Sequence, residues 1–175
     1  GTNLPAHCDM NKPPGRDRTA GALGQGLSAA VGMALAAKID RNPATIYCFI
    51  GDGESQEGQI WEASMFAGSR KLDNLIVLLD SNRMQLDGPV ESINGLEPIV
   101  DKWKAFNFFV QDVDGHDLSA ISDAIDAAKA QHEKPSMIVL RTVKGKGASF
   151  TEGVANCHSM SVPEEVWRKE TGRYE

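Results

Sequence analysis

Two polar turns in the sequence carry residue types that together bind a divalent cation. Asp52 stands between two glycines directly after the apolar run 46–50, and Asn82 follows shortly after the apolar run 75–79. The residues between these runs place apolar side chains near helical spacing, so we predict a strand, a helix and a second, parallel strand. Because ligands bind at the carboxyl ends of parallel strands, we expect Asp52 and Asn82 to lie close together.

The glycines beside Asp52 extend this prediction from a metal ion to a phosphate. Mg²⁺ prefers oxygen ligands and usually takes one or two carboxylates from the protein, with phosphate oxygens and water completing its coordination. Gly51 and Gly53 leave room for a phosphate near the backbone, and we expect the amino end of the following helix to face that anion. The residues therefore predict an Mg²⁺-bridged diphosphate, although a Gly-Asp-Gly turn also arises by chance in unrelated α/β proteins.

The spacing resembles the Mg²⁺-diphosphate signature of thiamine-diphosphate enzymes, in which Gly-Asp-Gly precedes an asparagine by about 25 to 30 residues. Further stretches resemble transketolases in particular. These stretches are 9–12, 21–28, 51–58, 61–63, 72–76 and 82–88. The resemblance implies that residues 1–175 form a single diphosphate-binding domain, truncated on its amino-terminal side, and that the family's pyrimidine-binding domain is absent from this chain.

The rest of the sequence predicts the elements that position these turns. Apolar runs that alternate with helical patterns favour a three-layer α/β/α domain with a mainly parallel sheet. The resemblance implies that this is the thiamine-diphosphate-binding fold. Asp117 has the residue type and position of a helix N-cap. The predicted strands are 46–50, 75–79, 108–113 and 136–142. One predicted helix follows the glycines of 21–26 and ends near 39, and the others span 56–71, 96–106, 118–132 and 162–175. Residues 1–20 are predicted to be irregular and 86–89 to form a turn.

The resemblance implies a role for each residue that matches a family motif. Asp52 and the Asn82 side chain would bind Mg²⁺, and the Met84 carbonyl would be the third ligand from the protein. Leu23 and Leu86 would line the pyrimidine and the thiazolium of the cofactor, thiamine diphosphate. The full set of implied cofactor-binding residues is Gly21, Leu23, Gly51, Asp52, Gly53, Asn82 and Leu86.

Three further residues match positions that act on substrate or near the cofactor. His7 takes the position of a histidine that reaches the bound sugar, although Cys8 replaces the usual proline, and a solvated loop histidine is the alternative. His158 best matches a histidine that ends a mobile segment, although Ser159 stands where glycine is usual. Glu57 matches a glutamate at the subunit interface, and its alternative is a first-turn glutamate favoured by the helix dipole.

Other candidate residues have simpler interpretations. His116 is interpreted as a structural loop residue, and the Lys-Gly turn 144–147 as a solvated loop rather than a phosphate site. The pairs His7-Cys8 and Cys157-His158 suggest a zinc site, but neighbouring residues on an extended chain point apart and the usual ligand spacing is missing. Cys48 lies in an apolar strand and is interpreted as an inert core thiol.

Composition limits the compartment and the class of partner. The formal net charge of −6 argues against nucleic acid as a main partner. No apolar run is long enough to span a bilayer, so we predict no membrane association. Three cysteines do not form an even disulfide framework, and the first residues show no signal-peptide pattern, which favours the cytoplasm.

The resemblance implies a carbohydrate-metabolising transferase of the pentose phosphate type, which moves a two-carbon ketol group from a ketose phosphate to an aldose phosphate. Because the pyrimidine-binding half is missing, we expect a carboxy-terminal transketolase subunit or domain as partner, a homo- or heterodimer of halves, and no activity for this chain alone. The alternatives are a 1-deoxyxylulose-phosphate synthase, the alpha subunit of a 2-oxo acid dehydrogenase, and a non-catalytic paralogue.

Overall fold

The computed structural model describes Pro5 and residues 7–172 of the chain. The predicted irregular segment 1–20 and the predicted helix 162–175 therefore lie partly outside the described residues. The helices are α1 Gln25–Ile39, α2 Gly58–Ser69, α3 Val90–Asn94, α4 Ile99–Ala105, α5 Leu118–Ala130 and α6 Glu164–Thr171. The strands are β1 Ile46–Gly51, β2 Leu75–Ser81, β3 Met84–Gln85, β4 Gly88–Pro89, β5 Phe109–Asp114 and β6 Ser136–Arg141, and two 3₁₀ turns span Glu54–Gln56 and Ala155–His158.

Four strands form one sheet in the order β1-β2-β6-β5, and every neighbouring pair is parallel. The register places Gly51 opposite Asp80 and Ser81 opposite Arg141, so the carboxyl ends of the strands meet at one edge. The short strands β3 and β4 pair separately as an antiparallel hairpin just beyond that edge. The predicted parallel α/β sheet is therefore confirmed.

Helices cover both faces of this sheet, which gives the predicted three layers. On one face, α1, α2 and α4 enclose the larger core, in which the fully buried Trp103 contacts Trp61 and Phe108. On the other face, α5 packs Ala124 and Ala128 against apolar side chains of β2 and β6. The central strands are apolar at nearly every position because both of their faces are buried.

The longest helix, α1, packs closely on the sheet because most of its buried side chains are small. Leu27 and Val31 lie one turn apart, and three alanines continue the same buried face. At 15 residues, α1 is shorter than a bilayer-spanning helix, and no other described helix has both the length and the apolar character to cross one.

The boundaries differ from the predicted ones where local backbone chemistry intervenes. The predicted helix 56–71 begins only at Gly58, because Glu57 is extended with ψ 132°. This residue separates α2 from the 3₁₀ turn Glu54–Gln56. The predicted helix 96–106 begins only at Ile99, since the residue before Pro98 is disfavoured in a helix. The N-cap prediction is confirmed: the Asp117 side chain accepts hydrogen bonds from two backbone N–H groups of α5.

Candidate functional site

The ends of β1 and β2 bring Asp52 and the Asn82 turn together. These strands are neighbours with aligned ends, so the residues that follow each strand leave the sheet at the same place. The Arg83 backbone N–H donates to Asp52 Oδ2 at 2.5 Å, which ties the two turns directly. The predicted proximity across thirty positions of sequence is therefore confirmed, and it follows from strand adjacency.

Asp52 is a buried acid whose charge the described chain does not pair. Only 5% of the surface of Asp52 is exposed to solvent. Burial raises the pKa of Asp52 and a nearby Asp80 raises it further, whereas hydrogen bonds from the Gly53 and Arg83 N–H groups and a more distant Lys144 oppose the shift. Among the described residues no cationic side chain forms an ion pair with Asp52. A bound divalent cation would relieve this desolvated carboxylate.

The side-chain amide of Asn82 is held by its neighbours in a defined orientation. Its Nδ2 donates to Asp80 Oδ2 at 3.2 Å, while its Oδ1 accepts the Met84 N–H at 2.9 Å. Asp80 also accepts a hydrogen bond from the Thr142 hydroxyl. An amide oxygen has two lone pairs, so Oδ1 keeps one acceptor position for a cation. These contacts fit the oxygen-only donor set that Mg²⁺ prefers.

Such a cation would depend on amide and carbonyl oxygens as well as on Asp52. Over Pro5 and residues 7–172, no three His, Cys, Asp or Glu side chains are grouped so that they could hold a metal ion. The described residues therefore give no support to the alternative zinc site at His7-Cys8 and Cys157-His158. The Cys48 thiol is buried, and burial together with the charge of Glu54 raises its pKa to about 12, as expected of an inert core thiol.

The two glycines beside Asp52 differ in what surrounds them. A Cβ on Gly53 would lie 2.9 Å from the Gln85 Cβ, so packing against the β3–β4 hairpin requires glycine there. A Cβ on Gly51 would meet no atom within 4 Å, and Gly51 does not have a positive φ. Neither crowding nor backbone conformation explains Gly51, so the open space beside it fits the approach of a ligand.

We expected the amino end of the helix after Gly53 to face the phosphate, and that orientation stays a prediction. The helix itself does not begin directly after Gly53. The 3₁₀ turn Glu54–Gln56 and the extended Glu57 instead separate Gly53 from α2. The reason is local: the N–H groups of Ser55 and Gln56 donate to the carbonyls of Asp52 and Gly53, which closes a tight turn before the helix begins.

Two large apolar side chains are exposed at this edge. Leu23, just before α1, is 56% exposed, and Leu86, at the tip of the β3–β4 hairpin, is 59% exposed. The backbone around Leu23 is nevertheless fixed to the Asp52 turn, because the Gly24 N–H donates to Glu54 Oε1 at 2.8 Å. Exposed leucines on an anchored backbone are suited to cover a ligand or to meet another protein surface.

The predicted substrate residue His7 lies beside a predicted cofactor residue. A Cβ on Gly21 would be 3.3 Å from His7 Cδ2, so the imidazole packs directly over this glycine. Both residues line a concavity of about 220 Å³, together with Arg18 and Gln25 at the start of α1. The structure thus groups His7 with the loop before α1, as the sequence motifs imply.

The other two predicted catalytic residues lie on the surface. Nδ1 of the exposed His158 is 3.1 Å from Lys144 Nζ. The turn Ala155–His158 also packs against the β3–β4 hairpin, which brings it near the site. Glu57 is exposed, and although it is the N-cap residue of α2 its side chain makes no capping hydrogen bond.

Several residues of the site were missed by sequence reasoning. Asp80 and Thr142 orient Asn82, and Glu54 and Gln59 hold the loop before α1. Asp80 lies two residues before Asn82, and Glu54 directly follows Gly53. Their closeness in sequence to predicted site residues could have indicated these two, whereas Thr142 and Gln59 had no such indication. His116 has the expected structural role, since its Nε2 accepts the Val143 N–H at 2.8 Å.

A second acidic cluster lies beside this site at the same edge of the sheet. The Arg141 guanidinium donates to both carboxylate oxygens of Asp112, at 2.9 and 3.0 Å. It also donates to Glu97 Oε1 at 2.8 Å and to Ser81 Oγ at 3.2 Å. Here each acid has a cationic partner from the chain, in contrast to Asp52.

Comparison with known proteins places this geometry in a family. The family model described as the thiamine diphosphate binding domain of transketolase matches residues 1–172. The chain belongs to the transketolase family. The matched domain binds thiamine diphosphate. A buried carboxylate without an ion-pair partner, next to glycine backbone with open space, is chemically suited to such a diphosphate.

The matches to transketolase relatives cover most of this chain but a smaller part of each relative. The chain is 58% identical over 168 residues to the 6-deoxy-6-sulfo-D-fructose transketolase subunit of Clostridium sp. (strain MSTE9), covering 96% of this chain and 61% of that protein. It is 41% identical over 145 residues to an apulose-4-phosphate transketolase subunit of Phocaeicola vulgatus, covering 83% and 52%. The chain thus spans little more than half the length of these relatives.

A solved transketolase shows the same fold. The crystal structure of transketolase from Campylobacter jejuni superposes with a TM-score of 0.83 and 37% sequence identity, covering 89% of this chain and 25% of that one. The parallel sheet with flanking helices is therefore the thiamine-diphosphate-binding α/β fold of transketolases.

Proposed function

We propose that this chain is the diphosphate-binding part of a transketolase that uses thiamine diphosphate and Mg²⁺ to transfer a two-carbon ketol group from a ketose to an aldose. The observation that carries the proposal is the buried Asp52 carboxylate, which has no ion-pair partner in the described chain and lies beside the oriented amide of Asn82. A transketolase domain with this uncompensated acid is suited to bind a cation-bridged diphosphate.

The chain's own residues would divide the work of holding the cofactor. Asp52, the Asn82 side chain and the Met84 carbonyl would hold Mg²⁺, and the backbone at Gly51 and Gly53 would receive the diphosphate. Gly21, Leu23 and Leu86 would border its rings, since both leucines are exposed at the same edge. Thiamine diphosphate, when bound, supplies the centre that stabilises a carbanion.

Two histidines would act on the substrate, and Glu57 would contact the partner. His7 borders the concavity before α1, where its imidazole would hydrogen-bond a sugar hydroxyl or move a proton from it. His158 would act in the same way, with its Nδ1 in contact with Lys144 Nζ. Glu57 is exposed and would contact the partner surface near the cofactor.

We propose an anionic ketose as the donor. The relative with 58% identity is named for 6-deoxy-6-sulfo-D-fructose, whereas relatives with 41% and 40% identity are named for apulose 4-phosphate. The higher identity favours a sulfonated ketose as the first donor to test. Phosphorylated ketoses of the pentose phosphate type are the second.

A pyrimidine-binding partner would complete the site. The relatives with 58% and 41% identity are named as subunits, and this chain spans 61% and 52% of their length. Residues 1–175 would then form one diphosphate-binding domain that works with a separate carboxy-terminal chain or domain, as a homo- or heterodimer of halves. The exposed Leu23 and Leu86 support a surface that such a partner covers.

A ketol-transfer assay tests the proposal. The full-length protein, mixed with the carboxy-terminal transketolase chain from the same source, is supplied with Mg²⁺, thiamine diphosphate, an aldose acceptor and one donor at a time. We expect acceptor elongation with an anionic ketose only when both chains are present, and none with Asp52→Ala. Release of CO₂ from a 2-oxo acid would instead indicate the synthase or dehydrogenase alternative, and cofactor binding without any turnover would indicate a non-catalytic paralogue.

A further inference from the structure

The peptide group between Leu23 and Gly24 is held from both edges by side chains of a different segment. Its N–H, on Gly24, donates to Glu54 Oε1 at 2.8 Å. Its carbonyl, on Leu23, accepts from Gln59 Nε2 at 3.0 Å. The second oxygen of Glu54 accepts the Gly51 N–H at 3.1 Å. One carboxylate therefore joins the loop before α1 to the last residue of β1.

The same contacts leave this loop little conformational freedom. Gly24 has a φ of 81°, which a residue with a side chain adopts only with strain. A Cβ at this position would lie 2.7 Å from Gln59 Cγ. The backbone is thus closely packed against Gln59, while the neighbouring Leu23 side chain remains 56% exposed. The loop presents a free apolar side chain on a fixed backbone.

We propose that Glu54, together with Gln59, is a positioning residue for thiamine diphosphate, a role that rests on the proposed function. The two side chains fix Leu23, which would meet a ring of the cofactor, relative to Gly51, which would meet its diphosphate. Both ends of one ligand are then set before it binds. Such preorganisation strengthens binding because the loop does not have to be ordered when the ligand arrives.

The residue types at the two positions are specific to this task. Two N–H donors on separate segments need two acceptor oxygens, and a carboxylate supplies both with charge-assisted hydrogen bonds. Glu54→Gln keeps the size but replaces one acceptor with an NH₂ group. Gln59→Glu likewise keeps the size but removes the donor for the Leu23 carbonyl. These isosteric changes break single contacts without opening a cavity.

The test compares two ligands, because a purely structural role would not distinguish between them. The full-length protein with its carboxy-terminal partner is titrated with thiamine diphosphate or with inorganic diphosphate, both at saturating Mg²⁺, and binding is followed by calorimetry. The temperature is chosen so that circular dichroism shows every variant to be folded. Glu62→Gln, on the exposed side of α2, is the control with the same change of charge as Glu54→Gln.

We expect both Glu54→Gln and Gln59→Glu to weaken thiamine diphosphate binding about tenfold, the usual effect of losing a hydrogen bond to a charged or buried group. Gln59→Glu should weaken inorganic diphosphate binding clearly less than thiamine diphosphate binding, since the contact it removes is to the Leu23 carbonyl and its added charge acts on both ligands alike. Wild-type affinity for thiamine diphosphate in both variants, or equal loss of both ligands in Gln59→Glu, would overturn the inference alone. No thiamine diphosphate binding by the wild type would overturn the proposed function and this inference with it.

Discussion

Two acidic groups lie at the carboxyl edge of the sheet, and they differ in what neutralises them. Asp112 and Glu97 share the Arg141 guanidinium, which also contacts Ser81 of the central strand β2. Asp52, which follows β1, is buried and accepts hydrogen bonds from the backbone N–H groups of Gly53 and Arg83. The first group is neutralised within the folded chain, whereas the second has no cationic partner among the described residues.

The pKa directions agree with this difference. The hydrogen bonds of Asp112 and then Glu97 raise the pKa of Arg141. Burial alone would raise the pKa of Glu97, but hydrogen bonds from the Ile99 N–H and from Arg141 lower it below its usual range. For Asp52 the burial effect prevails and the pKa is raised. An acid that the fold leaves uncompensated costs stability, and such acids mark sites of function.

The largest effect is expected from removing the uncompensated acid. Asp52→Ala should weaken Mg²⁺-dependent thiamine diphosphate binding about 100-fold or more, because the only carboxylate among the proposed metal ligands is lost. Calorimetry with the full-length protein and its partner measures this change. The control is Asp101→Ala, which removes an exposed acid of α4. A loss of affinity smaller than about threefold in Asp52→Ala would show that Asp52 is not a metal ligand.

The two glycines offer a matched pair of substitutions. Gly51→Ala places its Cβ in open space, so we expect an unchanged unfolding temperature but about tenfold weaker diphosphate binding, because the methyl group occupies the ligand's approach. Gly53→Ala forces its Cβ to within 2.9 Å of Gln85 and should cost about 1–3 kcal/mol of stability as well. Thermal unfolding and diphosphate titration separate these outcomes. A lower unfolding temperature in Gly51→Ala would contradict the assignment of that space to a ligand.

Removing the shared cation should affect the fold rather than the site. Arg141→Met leaves two acids without their partner, and because the arginine side chain is 34% exposed we expect a loss of about 1–2 kcal/mol rather than the larger cost of a buried pair. Cofactor affinity should stay within about twofold, since the proposed ligands keep their contacts. Chemical denaturation measures the loss. Arg168→Met, whose pair with Glu164 is on the surface, is the control and should change stability little.

The smallest effect is a dependence on pH. The pKa of Glu97 is lower in the folded state than in the unfolded state. The ionised Glu97 side chain therefore adds its full contribution to folding stability above the ordinary carboxyl pKa of about 4.3, and this contribution disappears as the pH falls through the lowered pKa. The charged groups that act on it are Arg141 and, more distantly, Arg83. We expect Glu97→Gln to be less stable than the wild type at pH 7 and to approach its stability as the pH falls below the ordinary carboxyl range. A stability difference that grows towards low pH would show that the sign is wrong.

The sequence allowed us to predict the Asp52 site, which depends on where strands end. It did not allow us to predict the Arg141 cluster, which depends on the order of the strands in the sheet. Apolar runs located β1 and β2, and the Gly-Asp-Gly turn identified Asp52. The Arg141 cluster joins residues up to 60 positions apart, because β6 lies between β2 and β5. No local pattern specifies that order. The β3–β4 hairpin was also missed, since strands of two residues are too short to show periodicity.

The contacts of Glu54 could not be predicted for a similar reason, although its place directly after Gly53 was a signal. Its hydrogen bond to Gly24 spans 30 positions and depends on the 3₁₀ turn Glu54–Gln56, which no periodicity indicates. The parallel sheet and the proximity of Asp52 to Asn82 were predictable because the carboxyl ends of adjacent parallel strands always meet. Side-chain contacts that orient a site depend on exact backbone geometry, which periodicity does not provide.

We infer that Asp52 requires a bound cation, whereas Asp112 already has the Arg141 guanidinium as its cationic partner. Thermal unfolding of two isosteric variants tests this difference. Asp52→Asn and Asp112→Asn are melted with and without Mg²⁺ and thiamine diphosphate. We predict that Mg²⁺ and thiamine diphosphate do not raise the melting temperature of Asp52→Asn. Asp112→Asn should be less stable without ligand but should show the full ligand-induced rise in melting temperature. A full rise in Asp52→Asn, or its loss in Asp112→Asn, would contradict the account.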